Sequence, residues 1–165
     1  MGQLSRSREY ETFLEPFWNG SAKDGICVSV GDGHRTCDAI KNLIADNNWL
    51  GLFIQADHNE AQNLATWSHP YHLHAIVECI DWREGLTRIL RAKNMMRQFD
   101  MLHIDVGPHT LTAFQEMIQD AWFTPRVVLC ACDPQSAPDI IIFANENNYK
   151  TYWEGPGALA FVLGE

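Results

Sequence analysis

The chain has 165 residues, and its 12 Lys and Arg against 21 Asp and Glu leave a net charge of −9. Such a balance argues against a partner gripped through phosphate neutralisation, so no nucleic-acid partner is expected. With 46% hydrophobic and 20% charged residues the chain can bury one core, which excludes disorder and points to a single domain over residues 1–165.

No apolar run approaches the ~20 residues of a membrane helix, so no membrane partner is expected. The opening MGQLSRSREYETF lacks a secretory apolar stretch, and Arg6 breaks the myristoylation pattern that Gly2 begins. A cytoplasmic protein is the expectation. The five cysteines are an odd count, and Cys27, Cys79, Cys130 and Cys132 lie in apolar runs. That suits reduced, buried thiols better than a disulfide framework. Neither Cys-x-x-Cys nor His-x-x-x-His occurs, so no metal is expected, although His34, His58, His103 and His109 all fall near strand ends.

In chain order, Tyr10, Phe13, Leu14 and Phe17 predict an amphipathic helix over 7–18, within a lead-in of residues 1–24. From residue 25 to 163 strand and helix signals alternate. Ile26 to Val30 reads as a strand ending in Gly31-Asp32-Gly33, then a helix from Thr36 to Ala45. Leu50 to Gln55 is a second strand, and Asn59 can cap the helix after it. His74 to Cys79 is a third strand, followed by Asp81-Trp82 and a helix containing Leu86, Ile89 and Leu90. Asp100 to Asp105 is a fourth, with a helix presenting Leu111, Phe114 and Ile118. Arg126 to Cys132 is a continuous apolar strand suited to the sheet centre. Ser136 with Pro138 and Asp139 reads as a capped helix start. Tyr149 to Glu154 and Ala158 to Leu163 close the chain as a hairpin through Gly155-Pro156-Gly157.

Five β–α units and a hairpin predict an α/β fold: a Rossmann-like three-layer sandwich, mostly parallel, closed by an antiparallel C-terminal hairpin. Ligands in such sheets bind beyond the carboxyl ends of the strands. The residues to examine therefore lie at Gly31 to Thr36, Gln55 to His58, Cys79 to Trp82, Asp105 to His109 and Asp133 to Ser136.

The segments ICVSVGDGHRT, LGLFIQADHNEA, FDMLHIDVGPHTLTAF and PRVVLCACD, with the tail YKTYWEGPGALAFVL, resemble a class I S-adenosylmethionine-dependent methyltransferase of the FkbM type. The resemblance spans about residues 25–163. It implies S-adenosyl-L-methionine as cofactor, with Gly31, Asp32 and Gly33 admitting its methionine part to the backbone. Taken alone, Gly-Asp-Gly is also an ordinary strand-ending turn. The acid that the family sets on the ribose hydroxyls is replaced by Gln55, with Asp57 two residues on, either as a stand-in or as a turn residue. Asp81 is placed to accept from the adenine amine and Trp82 to stack on the ring, unless Trp82 is a core aromatic.

At the fourth tip the family pattern Ser-Ile-Asp-x-Asp/Glu-Gly becomes His103-Ile104-Asp105-Val106-Gly107-Pro108-His109. His103, Asp105 and His109 form a candidate general-base cluster; the alternative is that Asp105 binds loop amides and the imidazoles are bystanders. Cys27, Ser29 and Ala131 also stand where relatives carry acid, Gly and Glu. The resemblance thus implies methyl transfer to an oxygen or nitrogen of a small molecule or glycan, in a chain compatible with homo-oligomerisation. The replaced positions sustain a second reading, a catalytically degraded relative kept as a binding or interaction module.

Overall fold

The computed structural model describes residues 25–33, 38–68, 75–119 and 123–164. The expected helix over 7–18, the helix start at Thr36, and His34, His69, His72 and His74 lie outside them. In chain order the elements are β1 (Ile26–Gly31), α1 (Asp38–Asn47), β2 (Leu50–Gln55), α2 (His58–Ser68), β3 (Ala75–Glu78), α3 (Leu86–Ala92), β4 (Met101–Asp105), α4 (Thr110–Gln119), β5 (Val127–Ala131), α5 (Ala137–Glu146), β6 (Tyr149–Glu154) and β7 (Ala158–Leu163). Short 3₁₀ turns at Trp82–Glu84 and Gly107–His109 lead into α3 and α4.

The strands form one sheet in the order β3-β2-β1-β4-β5-β7-β6. The β1–β2, β1–β4, β2–β3 and β4–β5 pairs are parallel, while β7 runs antiparallel to both β5 and β6. This is the predicted sandwich. One face packs on α3, α4 and α5 through Leu86, Leu90, Phe114, Met117, Ile140 and Phe143; the other packs on α1 and α2 through Ile40, Leu43, Ile44 and Leu64. Every residue of β4 and β5 is buried, as central strands covered on both faces require. Among the described residues no helix is long and apolar enough to cross a membrane.

Local signals set several boundaries. Asn48, Asn94 and Asn148 hold φ of 58°, 55° and 68° just beyond α1, α3 and α5, a left-handed conformation that Asn tolerates better than other non-glycine residues. Two capping expectations are corrected. Asp57, not Asn59, caps α2 by accepting from the Glu60 N–H at 2.9 Å, because the helix starts two residues earlier than expected. Ser136 makes no side-chain cap to α5; Asp133 instead accepts from the N–H groups of Gln135 and Ser136 at 3.0 and 2.9 Å.

Phe114 stands at the centre of the larger core, edge-on to Phe143 at 5.1 Å and Tyr149 at 5.8 Å and stacked on Phe161 at 5.9 Å. The Tyr149 hydroxyl donates to the Pro125 carbonyl at 2.7 Å, and burial pushes its pKa up. Phe114→Ala would open a cavity touching three other rings, and should lower unfolding free energy by about 3–5 kcal/mol in urea denaturation.

Candidate cofactor and active site

Parallel register sets the site's frame. Gly31 pairs with Gln55 on one side and Asp105 on the other, so these three stand side by side at the carboxyl edge of β2, β1 and β4. Two residues back on the same face lie Phe53, Ser29, His103 and Leu129.

Gln55 is 2% exposed. Its Oε1 accepts from the Gly33 N–H and the Asp57 N–H, both at 3.1 Å, which ties the turn after β1 to the turn after β2. The carboxamide lies over Gly31: a Cβ there would sit 2.6 Å from Gln55 Nε2. Gly31 therefore makes room for Gln55, a different reason for the glycine from the cofactor approach expected of it. Gln55 and Asp57, the residues expected on the ribose, bind backbone amides through Gln55 Oε1 and Asp57 Oδ1, which for Asp57 is the turn role that stood as its alternative. An amide can accept both bonds without the desolvation that a buried carboxylate would suffer.

Asp32 and Asp81 are brought together by a residue that sequence reasoning missed. Arg83 donates to Asp81 Oδ1 and Oδ2 at 3.3 and 3.2 Å and to Asp32 Oδ2 at 3.4 Å, spanning the mouth from the β1 tip to the β3 tip. Asp81 also accepts from the Arg83 N–H at 2.9 Å, fixing the 3₁₀ turn. Trp82 is buried in the core beside Leu86 and Leu90, and the Arg83 guanidinium lies 5.2 Å from its ring centroid. Of the two readings of Trp82, the core aromatic is the one the structure shows. The available signal was the i, i+2 spacing of Asp81 and Arg83.

At the fourth tip the expected cluster separates. His103 is 2% exposed, in mid-strand, with Nδ1 2.9 Å from Ser29 Oγ. Asp105 ends β4 at 7% exposure, beside Gly31. His109 is exposed on the following turn, where Gly107 takes a φ of 59°. His103 and Asp105 share a strand face as expected, but His103 sits one row below the rim. Thr110 Oγ1 donates to the Gly107 and Ala131 carbonyls at 3.0 Å, joining the β4 and β5 tips. Beyond β5 a cavity of about 290 Å³ opens between the α5 start and the β6–β7 turn, walled by Pro134, Pro138, Pro156 and Leu159, with Asp133 and Glu154 contributing carboxylates. Among the described residues no three His, Cys, Asp or Glu side chains converge as a metal site.

No protein-family model matches the sequence, and no curated protein matches it. Solved structures do. The chain is 12% identical to a protein from Pyrococcus horikoshii described as a candidate RNA methyltransferase, covering 96% of this chain and 82% of that one, with a TM-score of 0.61. It is 10% identical to a Streptococcus pneumoniae protein described as a candidate tRNA (m1A22) methyltransferase, covering 93% and 70%, with a TM-score of 0.60. It is 11% identical to TrmK of M. capricolum, whose structure holds S-adenosyl-homocysteine, covering 85% and 62%, with a TM-score of 0.55. The fold is that of the class I S-adenosylmethionine-dependent methyltransferases.

These neighbours overturn the exclusion of nucleic acid drawn from net charge. The physical reason is that a whole-chain sum hides local patches. Arg83, Arg88, Arg91, Lys93 and Arg97 are all exposed, so five of the 12 basic residues lie in one short stretch whose only acid is Glu84. The small-molecule or glycan acceptor implied by the resemblance is not confirmed by these neighbours.

Gly31→Ala should displace the Gln55 carboxamide and lower stability by about 1–3 kcal/mol, the cost of leaving buried amides unbonded. In a double-mutant cycle by urea denaturation, Gln55→Ala should absorb most of that loss, since the clash partner is gone.

Proposed function

We propose that the chain is an S-adenosylmethionine-dependent methyltransferase with RNA as acceptor. The observation that carries the reading is the placement of Asp32, Asp57 and Asp81 at the tips of β1, β2 and β3 under this strand order. Three carboxylates on adjacent tips suit a ligand rich in hydroxyl and amine donors and carrying a sulfonium charge. TrmK, bound to the demethylated product of that cofactor, supports the same ligand class here. The RNA acceptor is supported by the neighbours' descriptions and by the basic stretch from Arg83 to Arg97. The FkbM-type resemblance has no family model behind it, so the acceptor is not drawn from it.

In this reading the tips carrying Asp32, Asp57 and Asp81 would hold S-adenosylmethionine, which would supply an electrophilic methyl group to an acceptor nitrogen or oxygen. The protein's share is mostly positioning. Asp105, at the rim beside Gly31, would take the acceptor's proton. His103 lies one row beneath, against Ser29. The proline-walled cavity beyond β5 suits a planar ring.

A specific observation favours the second reading, a binding module. Gln55 and Asp57 already spend acceptor oxygens on backbone amides, and Arg83 already occupies Asp32 and Asp81. Calorimetry separates the two. S-adenosylhomocysteine should bind in the micromolar range, and Asp32→Asn with Asp81→Asn should weaken it about tenfold, the loss of one or two charge-assisted bonds. No heat at millimolar ligand would leave the module reading. Tritiated methyl transfer to total cellular RNA should be detectable, and should fall in Arg88→Glu/Arg97→Glu with a shallower salt dependence.

A further inference from the structure

A thiol–imidazole pair stands at the β2 and β3 tips, separate from the polar groups assigned above. Cys79 follows β3 directly and is exposed, and its Sγ lies 3.3 Å from Nδ1 of His58, the exposed first residue of α2. This corrects the expectation that all four thiols in apolar runs are buried; β3 is the sheet's edge strand, so its end is uncovered. The other described thiols differ in kind. Cys27, Cys130 and Cys132 are buried in the core. Burial pushes the Cys27 thiol up, with the Asp100 charge adding to it, and burial with the neighbouring Cys132 raises Cys130. Such thiols stay protonated and unreactive, whereas an exposed thiol touching a base can present a thiolate.

Three acidic residues flanking the pair in sequence are engaged. Glu78 pairs with Lys93, Asp81 pairs with Arg83, and Asp57 caps α2. His58 is the base in contact.

We propose that Cys79 is a reversible thiol-modification site, with His58 as its base, that takes a small-molecule disulfide such as oxidised glutathione. His58 Nδ1 accepts the Cys79 proton, and the thiolate attacks one sulfur of the disulfide. A new S–S bond forms to Cys79 as the old one breaks. The departing thiolate recovers the proton from the imidazolium, so Cys79 is oxidised and the released thiol is the reduced product. Excess thiol reverses the exchange. The proposal stands independently of methyl transfer.

The test incubates the full chain with oxidised glutathione near neutral pH and maps the adduct by peptide mass spectrometry. Cys79 should carry it, Cys27, Cys130 and Cys132 should not, and Cys79→Ser should lose it. His58→Ala and His58→Asn, both at an exposed position, should slow its formation about tenfold, with unchanged circular dichroism confirming that they fold. Absence of an adduct on Cys79 overturns the site. Formation at the wild-type rate in both His58 variants overturns the base.

Discussion

The missing side chain of Gly31 is the constraint on which the carboxyl edge of the sheet depends. Because nothing projects from it, the Gln55 carboxamide can fold over β1 and accept from the Gly33 and Asp57 amides together. Those two bonds determine where the first and second turns lie relative to each other. Asp57, held at its amide, turns its carboxylate onto the Glu60 N–H and so starts α2. His58 is then the helix's first residue, within reach of Cys79 from the next strand. One buried amide thus sets the geometry of two adjacent tips.

Electrostatics at the mouth follow a different rule from electrostatics beneath it. Beneath, Gln55, Ser29 and His103 are nearly sealed from water, so their hydrogen bonds decide whether burial costs or stabilises. At the mouth Arg83 is 43% exposed and Asp32 and Asp81 about a third, so their pairs are screened and contribute about 0–1 kcal/mol each. The chain's net charge of −9 bears on neither. It describes long-range repulsion and solubility, and a whole-chain sum does not exclude a polyanionic partner.

The fold was legible because its signals are redundant. Apolar runs in β1, β2, β4 and β5, helix periodicity between them and the Gly155-Pro156-Gly157 turn each point to the same sandwich, and tertiary packing needs no choice among alternatives. The site was legible only in part. Sequence placed Gly31, Asp32, Asp57, Asp81 and Asp105 at the tips correctly, since strand ends fix their positions. It could not tell which polar atoms the protein satisfies internally. Gln55 looked like a weakened ribose ligand and Trp82 like a stacking platform; whether either faces the crevice depends on side-chain direction and neighbours far along the chain. The pairing of Arg83 with Asp81 is readable from their spacing, but its link to Asp32, 51 residues away, is not.

That division between sealed and screened groups also says where a ligand can gain a foothold. A donor arriving at Gln55 must replace two buried bonds to backbone amides, each worth about 0.5–1.5 kcal/mol, and leave those amides unsatisfied at further cost. A donor arriving at Asp32 or Asp81 displaces only a screened guanidinium, which can turn into solvent on its long side chain and keep its contact with Trp82. Gln55 is therefore scaffold, and under the proposed function a ligand would be recognised further out, at the two carboxylates that Arg83 holds in place.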